Sequence, residues 1–380
     1  MSYSDVSGHH SMVFDGLRNA AYARAMRQAI KPGTTVMDLG AGLGVHGLQA
    51  ALLGAAQVHL VEPAPVLEVA RQVAAANGLA NVHCHNCRAE ELQLDDRVDV
   101  LVSVFTGNFL LTEDLLPSLF HARDRFLAHG GTLIPDRGRM EVVPVSAPDY
   151  YRKHVDAWGD YPAHAREHGL PGLDYSAVRP YAANTLFYDR RKRFDATALA
   201  VPAALMELDF YTASNADCDS RVQVSVERDG LCHGWLGWFQ MRLGDEWLST
   251  SGEPDSTHWS PVFLPLDKPL QVRAGEQLDI ALKRPERGEW TWTTEHAGAR
   301  QRQSTFLSQP LSPQRLRKAS DSYQPRLNPR GEATRWLLQH MAGEASAKQL
   351  AEQAQSKFPE VFASYHEARE LVRQLAERYS

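Results

Sequence analysis

Cysteine is scarce: four in 380 residues cannot build the dense disulfide framework of a small secreted scaffold, so a reducing cytoplasm is the expected setting. No apolar run approaches the roughly 20 residues of a membrane span. The N-terminus, MSYSDVSGHHSM, has neither the basic region nor the apolar core of a secretory signal. Charge of one sign is not concentrated either. A formal net charge of -6 gives no basic field, so neither nucleic acid nor an anionic membrane is an expected partner. There is no internal repeat. The 16 histidines are read as scattered, and no metal is expected. Cys84-His85-Asn86-Cys87 is a C-x-x-C, but Cys218 and Cys232 lie far along the chain. A structural reading is preferred there to zinc or redox work.

What is present is enough chain for two or three domains. Residues 1 to about 30 read as helix, with Met12, Leu17, Ala20, Ala21 and Ala25 near helical spacing and Pro32-Gly33 as the stop. From 34 to 140 short β-rich runs (TTVMDLG, QVHLVEP, NVHCHN, VDVLVSV) alternate with helical stretches, the pattern of a parallel sheet with crossover helices. The style changes around Gly130-Gly131-Thr132-Leu133-Ile134-Pro135. From 140 to 300 LMELDFY, RVQVSVERDG, GWLGWFQMRL and EQLDIALK read as an antiparallel barrel or sandwich, interrupted by a polar, helix-leaning insertion at 150–185. Trp235, Trp238, Trp290 and Trp292 are expected in its core. Residues 297–330 read as a linker, and 331–380 as helices. The expected domains are therefore 1–135, 136–300 and 301–380.

The first strand runs into Asp38-Leu39-Gly40-Ala41-Gly42-Leu43-Gly44. A glycine turn of this kind brings backbone close to a ligand, and a dinucleotide fold would use a similar one. Three features favour another ligand. The spacing is G-x-G-x-G. The second strand ends in Glu62, placed to accept from two ribose hydroxyls, and the third is followed by Arg88-Ala89-Glu90-Glu91, where an acidic residue would accept from the adenine amino group, with Ala89 and Glu90 as the expected cofactor contacts. An acid, Asp38, opens the turn, which suits a ligand without phosphate and with a positive sulfonium. The expected cofactor is S-adenosylmethionine, with S-adenosylhomocysteine as product.

His9-His10-Ser11-Met12-Val13-Phe14-Asp15-Gly16-Leu17-Arg18, continuing to Ala21-Tyr22 and Met26, resembles the helix that precedes the cofactor domain in protein arginine methyltransferases. Pro135-Asp136-Arg137, Asp209-Phe210-Tyr211-Thr212, Gly237-Trp238-Phe239, Leu248-Ser249-Thr250 and the Thr257-His258-Trp259 loop follow the family in order. The resemblance implies a Rossmann-like class I methyltransferase domain followed by a β-barrel. It implies that Met12 packs beside the sulfonium methyl, that Arg18 pairs with the carboxylate of the cofactor, and that His258 pairs with Asp15 under the reacting centre. The stretch Asp156–Tyr181, with Trp158, Tyr161, Leu170, Leu173 and Tyr175, resembles the dimerisation arm and implies a homodimer.

The family clamps a substrate guanidinium between two glutamates, which hold a planar cation and compensate its burial. The matching stretch here is Ser103-Val104-Phe105-Thr106-Gly107-Asn108-Phe109-Leu110-Leu111-Thr112-Glu113. Ser103, Gly107 and Glu113 fall on the pattern, and Val104 stands where the first glutamate would be. Three readings stay open. The first is a guanidine held by Glu113 with help from Asn108, Thr106 or backbone carbonyls. The second is a less charged acceptor such as an imidazole, amide, amine, hydroxyl or carboxylate. The third is a peptide-binding scaffold without catalysis. Glu113 would orient the acceptor and take its proton, with the Asp15–His258 pair assisting.

Residues 312–380, beginning at Arg326-Leu327-Asn328-Pro329-Arg330-Gly331 for the clearest part, resemble a PqqD-like domain, the winged-helix-like RiPP recognition element. That resemblance implies strands from LRKASDSYQPRLN and a leader peptide docked on their edge by β-augmentation. Leu327, Ala333, Leu337, Leu338, Leu350, Ala354, Phe358, Leu371 and Leu375 would form its apolar faces. Together the two resemblances imply methylation of a ribosomally made precursor peptide, with arginine or another guanidine as the alternative acceptor.

Overall fold

A computed structural model describes residues 5–252 and 257–379. The first four residues of the expected N-terminal helix lie outside that range. The chain divides at Pro310/Leu311 into two compact units. None of the described helices is long and apolar enough to cross a membrane.

The N-terminal helix is two helices, α1 (Val6–Val13) and α2 (Gly16–Ala29). The break has a local cause. Asp15 turns its carboxylate onto the Arg18 N–H at 2.9 Å and caps α2. Arg18 and Asn19 donate back to the carbonyl of Met12 at 2.8 and 3.2 Å, closing the end of α1.

Next come β1 (Thr35–Leu39), α3 (Val45–Leu52), β2 (Gln57–Val61), α4 (Leu67–Ala76), β3 (Val82–His85), β4 (Val98–Ser103), α5 (Leu116–Phe126) and β5 (Leu127–Ile134). They form a parallel sheet in the order β3-β2-β1-β4-β5. β1 and β4 are buried on both faces, which explains why they read as nearly continuous apolar runs. The change of style at Gly130-Gly131 conceals β5 itself, because a glycine pair carries no alternation of side chains.

β6 (Arg137–Ser146) opens the second layer. The insertion is helical: α6 (Pro148–Tyr151), a π-helical turn (Arg152–Asp156), α7 (Ala157–Glu167), a 3₁₀ turn (Ser176–Val178) and α8 (Arg179–Ala182). β7 (Phe187–Tyr188), α9 (Arg191–Phe194), β8 (Thr197–Ala198), β9 (Ala203–Asp209), β10 (Cys218–Ser225), β11 (Gly230–Leu243), β12 (Glu246–Ser249), β13 (Val262–Val272), β14 (Gln277–Arg284), β15 (Thr291–His296) and β16 (Ala299–Ser304) complete two antiparallel sheets. One runs β7-β13-β11-β6-β8, with β12 on β11 and β9 on β6; the other runs β10-β14-β15-β16. Trp235, Trp238, Trp290 and Trp292 are buried between and within them, as expected. Residues 299–304, read above as linker, pair with β15 along their whole length; their polar side chains belong to an edge strand, where one row faces water. The short helix α10 (Thr305–Ser308) ends the first unit.

The second unit contains α11 (Pro313–Lys318), α12 (Pro329–His340), α13 (Ala347–Lys357) and α14 (Tyr365–Tyr379). Three helices share a core of Ala333, Leu337, Leu350, Ala354, Phe362, Leu371 and Leu375. The expected strands are not there: among the described residues of 311–379 none is a strand. Ser312 caps α11 by accepting from the Arg315 N–H, with Pro313 in the first turn, and the residues that follow lack a period-two apolar pattern. Leu327 and Leu338, expected on the apolar faces, are exposed, while Phe362 fills the core instead.

Candidate active site

A cavity of about 320 Å³ opens where the C-terminal ends of β1, β2 and β4 face α1 and α2, the usual ligand position of an open α/β sheet. Its floor is the glycine turn. Gly40 (φ +73°) and Gly42 (φ +53°) are in the left-handed region, and the space a Cβ would need is already filled. At Gly40 it would stand 2.2 Å from the Phe105 ring, and at Gly42 2.7 Å from His9.

The acids behave differently from one another. Asp38 is buried and accepts from the Gly47 N–H at 2.7 Å; burial, with some help from the Glu62 charge, pushes its pKa up to about 7. Glu62 accepts from the N–H groups of Gly42 (3.1 Å) and Ala64 (2.8 Å). Those bonds fix the carboxylate at the cavity wall and leave each oxygen a second lone pair. Arg18 is 3% exposed and lines the same cavity as Met12.

Asp15 joins the two domains. Its Oδ1 caps α2, while its Oδ2 accepts from the His258 backbone N–H and faces His258 Nδ1, each at 2.8 Å. Burial alone would raise this carboxyl, but the hydrogen bonds from His258 and from Arg18 outweigh it, and the pKa is lowered. The pairing expected across 243 positions of sequence is thus present.

Glu113 reaches the cavity from a strained loop. Phe109 (φ +52°), Leu110 (φ +64°) and Asp114 (φ +56°) are left-handed without being glycine, a cost of about 1–3 kcal/mol each. The surroundings hold them there. Phe109 is fully buried and stacks on Trp290 with centroids 5.3 Å apart. Asp114 accepts from buried Arg284 at 2.6 Å, and Thr112 bonds Tyr188 at 3.2 Å. Gly107 leaves the room Glu113 occupies: a Cβ there would lie 2.5 Å from Glu113 Cγ.

Residues 136–290 match the arginine methyltransferase oligomerization subdomain, and residues 30–160 match a methyltransferase domain. Protein arginine N-methyltransferase 6 of Xenopus laevis is 30% identical over 294 residues, covering 74% of this chain and 84% of the relative. The chain belongs to the protein arginine methyltransferase family. It is an S-adenosylmethionine-dependent methyltransferase. The arginine N(omega)-methyltransferase of Streptomyces achromogenes subsp. streptozoticus is 30% identical over 283 residues, 72% of this chain and 75% of that one. The Trypanosoma brucei PRMT1 enzyme-prozyme heterotetrameric complex with AdoHcy superimposes with a TM-score of 0.71 at 25% identity, over 80% of this chain and 99% of that chain.

The methyltransferase cavity fits its cofactor. The glycine turn keeps side chains away from the floor, Glu62 offers acceptors for hydroxyls, and among the described lining residues Arg18 is the one arginine or lysine, too little for a phosphate cluster. Met12, Arg18, Asp38, Gly40, Gly42, Glu62, Glu113 and His258 all line it. Gly44 does not; it is the left-handed N-cap of α3. Five other expected site residues have different places; Asp15 is off the cavity lining, its carboxylate spent on the Arg18 N–H and on His258. Ser103 is fully buried; its carbonyl accepts from Tyr22 and its hydroxyl from the Phe105 N–H. Asn108 accepts from the Ser260 N–H at 2.9 Å, tying the Glu113 loop to the Thr257-His258-Trp259 loop. Neither lines the cavity, where both were expected as catalytic residues. Glu90 is exposed and accepts from Ser118 at 2.6 Å, outside the cavity wall, and Ala89 is buried beside it.

The sequence reading passed over His9, His46, Phe105 and Trp259 as cavity lining. The histidines read as scattered include His164 and His168, which with Glu167 lie exposed at the end and C-cap of α7 with ligand atoms within 4.8 Å of one another. Cys84 and Cys87 have raised pKa values, from burial first, which suits inert structural thiols.

Proposed function

We propose that this methyltransferase acts on a guanidino nitrogen of arginine, free or within a polypeptide. The observation that carries the reading is that Glu113 shares one cavity wall with Thr106, His258 and the cofactor residues. Its relatives are named for arginine methylation, which supports the same acceptor. Bound S-adenosylmethionine supplies a methyl group on a positively charged sulfur and leaves as a neutral sulfide. The protein must therefore present a neutral nitrogen and dispose of one proton.

Glu113 is placed to receive two guanidinium N–H groups side by side. The Thr106 hydroxyl, 2% exposed with no hydrogen-bond partner among the described residues, offers one more acceptor. Val104 and Phe105 give an apolar wall. With Val104 in place of a second carboxylate, the buried cation is under-compensated by roughly a few kcal/mol in binding. A high KM for arginine is the expected consequence. Glu113 takes the proton, and the Asp15 carboxylate fixes the Nδ1–H form of His258, leaving Nε2 as an acceptor for its relay.

The test is turnover with free L-arginine and with arginine-containing peptides, read by mass spectrometry of methylarginine. Glu113→Gln should lower kcat at least about a hundredfold with S-adenosylhomocysteine affinity unchanged. Failure of every guanidine acceptor in a chain that binds the cofactor would sink this reading. Methylation of a precursor peptide guided by residues 311–379 retains one support, the separate helical unit, but the described residues of that unit include no edge strand on which the leader would pair. The arm carries exposed Trp158, Leu170, Leu173, Tyr175 and Tyr181 within the region matching the oligomerization subdomain. We read it as a homodimer contact.

A further inference from the structure

His46 stands one residue into α3, directly after the glycine turn. It lines the cavity and is 3% exposed. Its ring stacks on Tyr22, with centroids 4.2 Å apart and planes 22° from parallel. Tyr22 thereby offers a ring face, while its hydroxyl is engaged with the Ser103 carbonyl and Met241 Sδ. Neither nitrogen of His46 has a hydrogen-bond partner among the described residues. Burial first, and then the nearby Arg18 guanidinium, lowers the imidazole pKa well below its ordinary value, so the ring is neutral at physiological pH. A neutral imidazole has one N–H donor and one bare nitrogen acceptor. Buried polar atoms of this kind are nearly always paired, and a pair left unmet at a cavity wall points to what the cavity takes.

The charges around the ring narrow the choice. Among the described residues Arg18 is the one arginine or lysine on this wall and Asp38 is an acid on it; the charge of Asp15 also reaches the ring, but its oxygens are spent on His258 and α2. That set complements a zwitterion: a carboxylate for Arg18, an ammonium for Asp38, and for both the single donor and single acceptor of His46. We propose that His46 recognises the amino-acid end of the cofactor, giving its N–H to the carboxylate and its other nitrogen to the ammonium. The proposal rests on the identity of the cofactor and not on which acceptor is methylated.

The experiment compares two ligands by titration calorimetry on the full chain. S-adenosylhomocysteine carries the amino-acid end. 5′-Methylthioadenosine has the same adenosine and sulfur without it. His46→Leu keeps the bulk and removes both polar atoms. It should weaken S-adenosylhomocysteine by about tenfold to a hundredfold and leave methylthioadenosine within about twofold of wild type. His46→Gln, which restores a donor and an acceptor, should recover part of the loss. Equal weakening of both ligands would make His46 merely structural and overturn the proposal. So would unchanged S-adenosylhomocysteine affinity in a His46→Leu chain whose thermal unfolding matches wild type. A wild-type chain that binds neither ligand would instead overturn the cofactor assignment, and the proposal with it.

Discussion

Replacing Asp15 tests the joint between the two halves of the first unit. One buried carboxylate performs three tasks: it caps α2, accepts the His258 backbone N–H and holds the His258 ring. Loss of an N-cap costs about 1 kcal/mol. Hydrogen bonds to a charged group contribute about 1.5–3 kcal/mol each, but the two from His258 share one oxygen and do not add fully. Asp15→Ala should therefore cost about 4 kcal/mol. Asp15→Asn keeps the cap, since asparagine caps as well as aspartate. It turns an NH₂ group toward the His258 donors, and about 2 kcal/mol should be lost.

Seven of the eight tryptophans, all but Trp336, lie before Pro310, so urea unfolding followed by tryptophan fluorescence reports mainly on this unit. The folded pKa of Asp15 is lowered. Its contribution is thus present above the unfolded value of about 3.8 and lost as pH falls through the lower folded one. The gap between wild type and Asp15→Asn should close below about pH 4. A double-mutant cycle with His258→Ala should show coupling of about 1–2 kcal/mol. An Asp15→Ala loss under about 1 kcal/mol, or additivity with His258→Ala, would refute the reasoning.

Two further outcomes follow from the geometry. Asp38 has a folded pKa raised to about 7 against 3.8, so its ionisation opposes folding progressively between those values; without cofactor, Asp38→Asn should gain on wild type as pH rises from 4 to 8 in thermal melts. A cation-bearing cofactor favours ionised Asp38, so calorimetric affinity for S-adenosylmethionine should strengthen as pH rises through about 7, and a flat profile from pH 6 to 8.5 would contradict that assignment. The exposed apolar residues of the arm should make the chain sediment as a dimer at micromolar concentration. Leu170→Asp with Leu173→Asp should then yield monomer, and a wild-type monomer under those conditions would refute the arm contact.

Much of the cofactor half was determined by the sequence alone, because its information is local. A buried parallel strand followed by glycines at fixed spacing has few alternative conformations, and an aspartate at the head of a helix caps it wherever it lies. Asp38, Gly40, Gly42 and Glu62 could be placed on such grounds, whereas Asp15, its partner His258 and Glu113 came from the family resemblance. Side-chain direction and long-range company belonged to the tertiary structure. Phe105 fills the space over Gly40, and Asp114 meets Arg284 from 170 positions away. Glu90 bonds Ser118 outside the cavity wall, and Ser103 and Asn108 brace loops without lining the cavity. A polar residue's spacing is the same whether it meets solvent, backbone or ligand, so sequence periodicity cannot distinguish these fates. The same limit hid β5 behind two glycines and made α11 read as strand, since polar segments take their form from whichever neighbour satisfies their backbone. His46 shows the point most plainly. In the chain it is one more histidine after a glycine, and only burial against Tyr22 and Arg18, which strips it of water without supplying a partner, gives it a role.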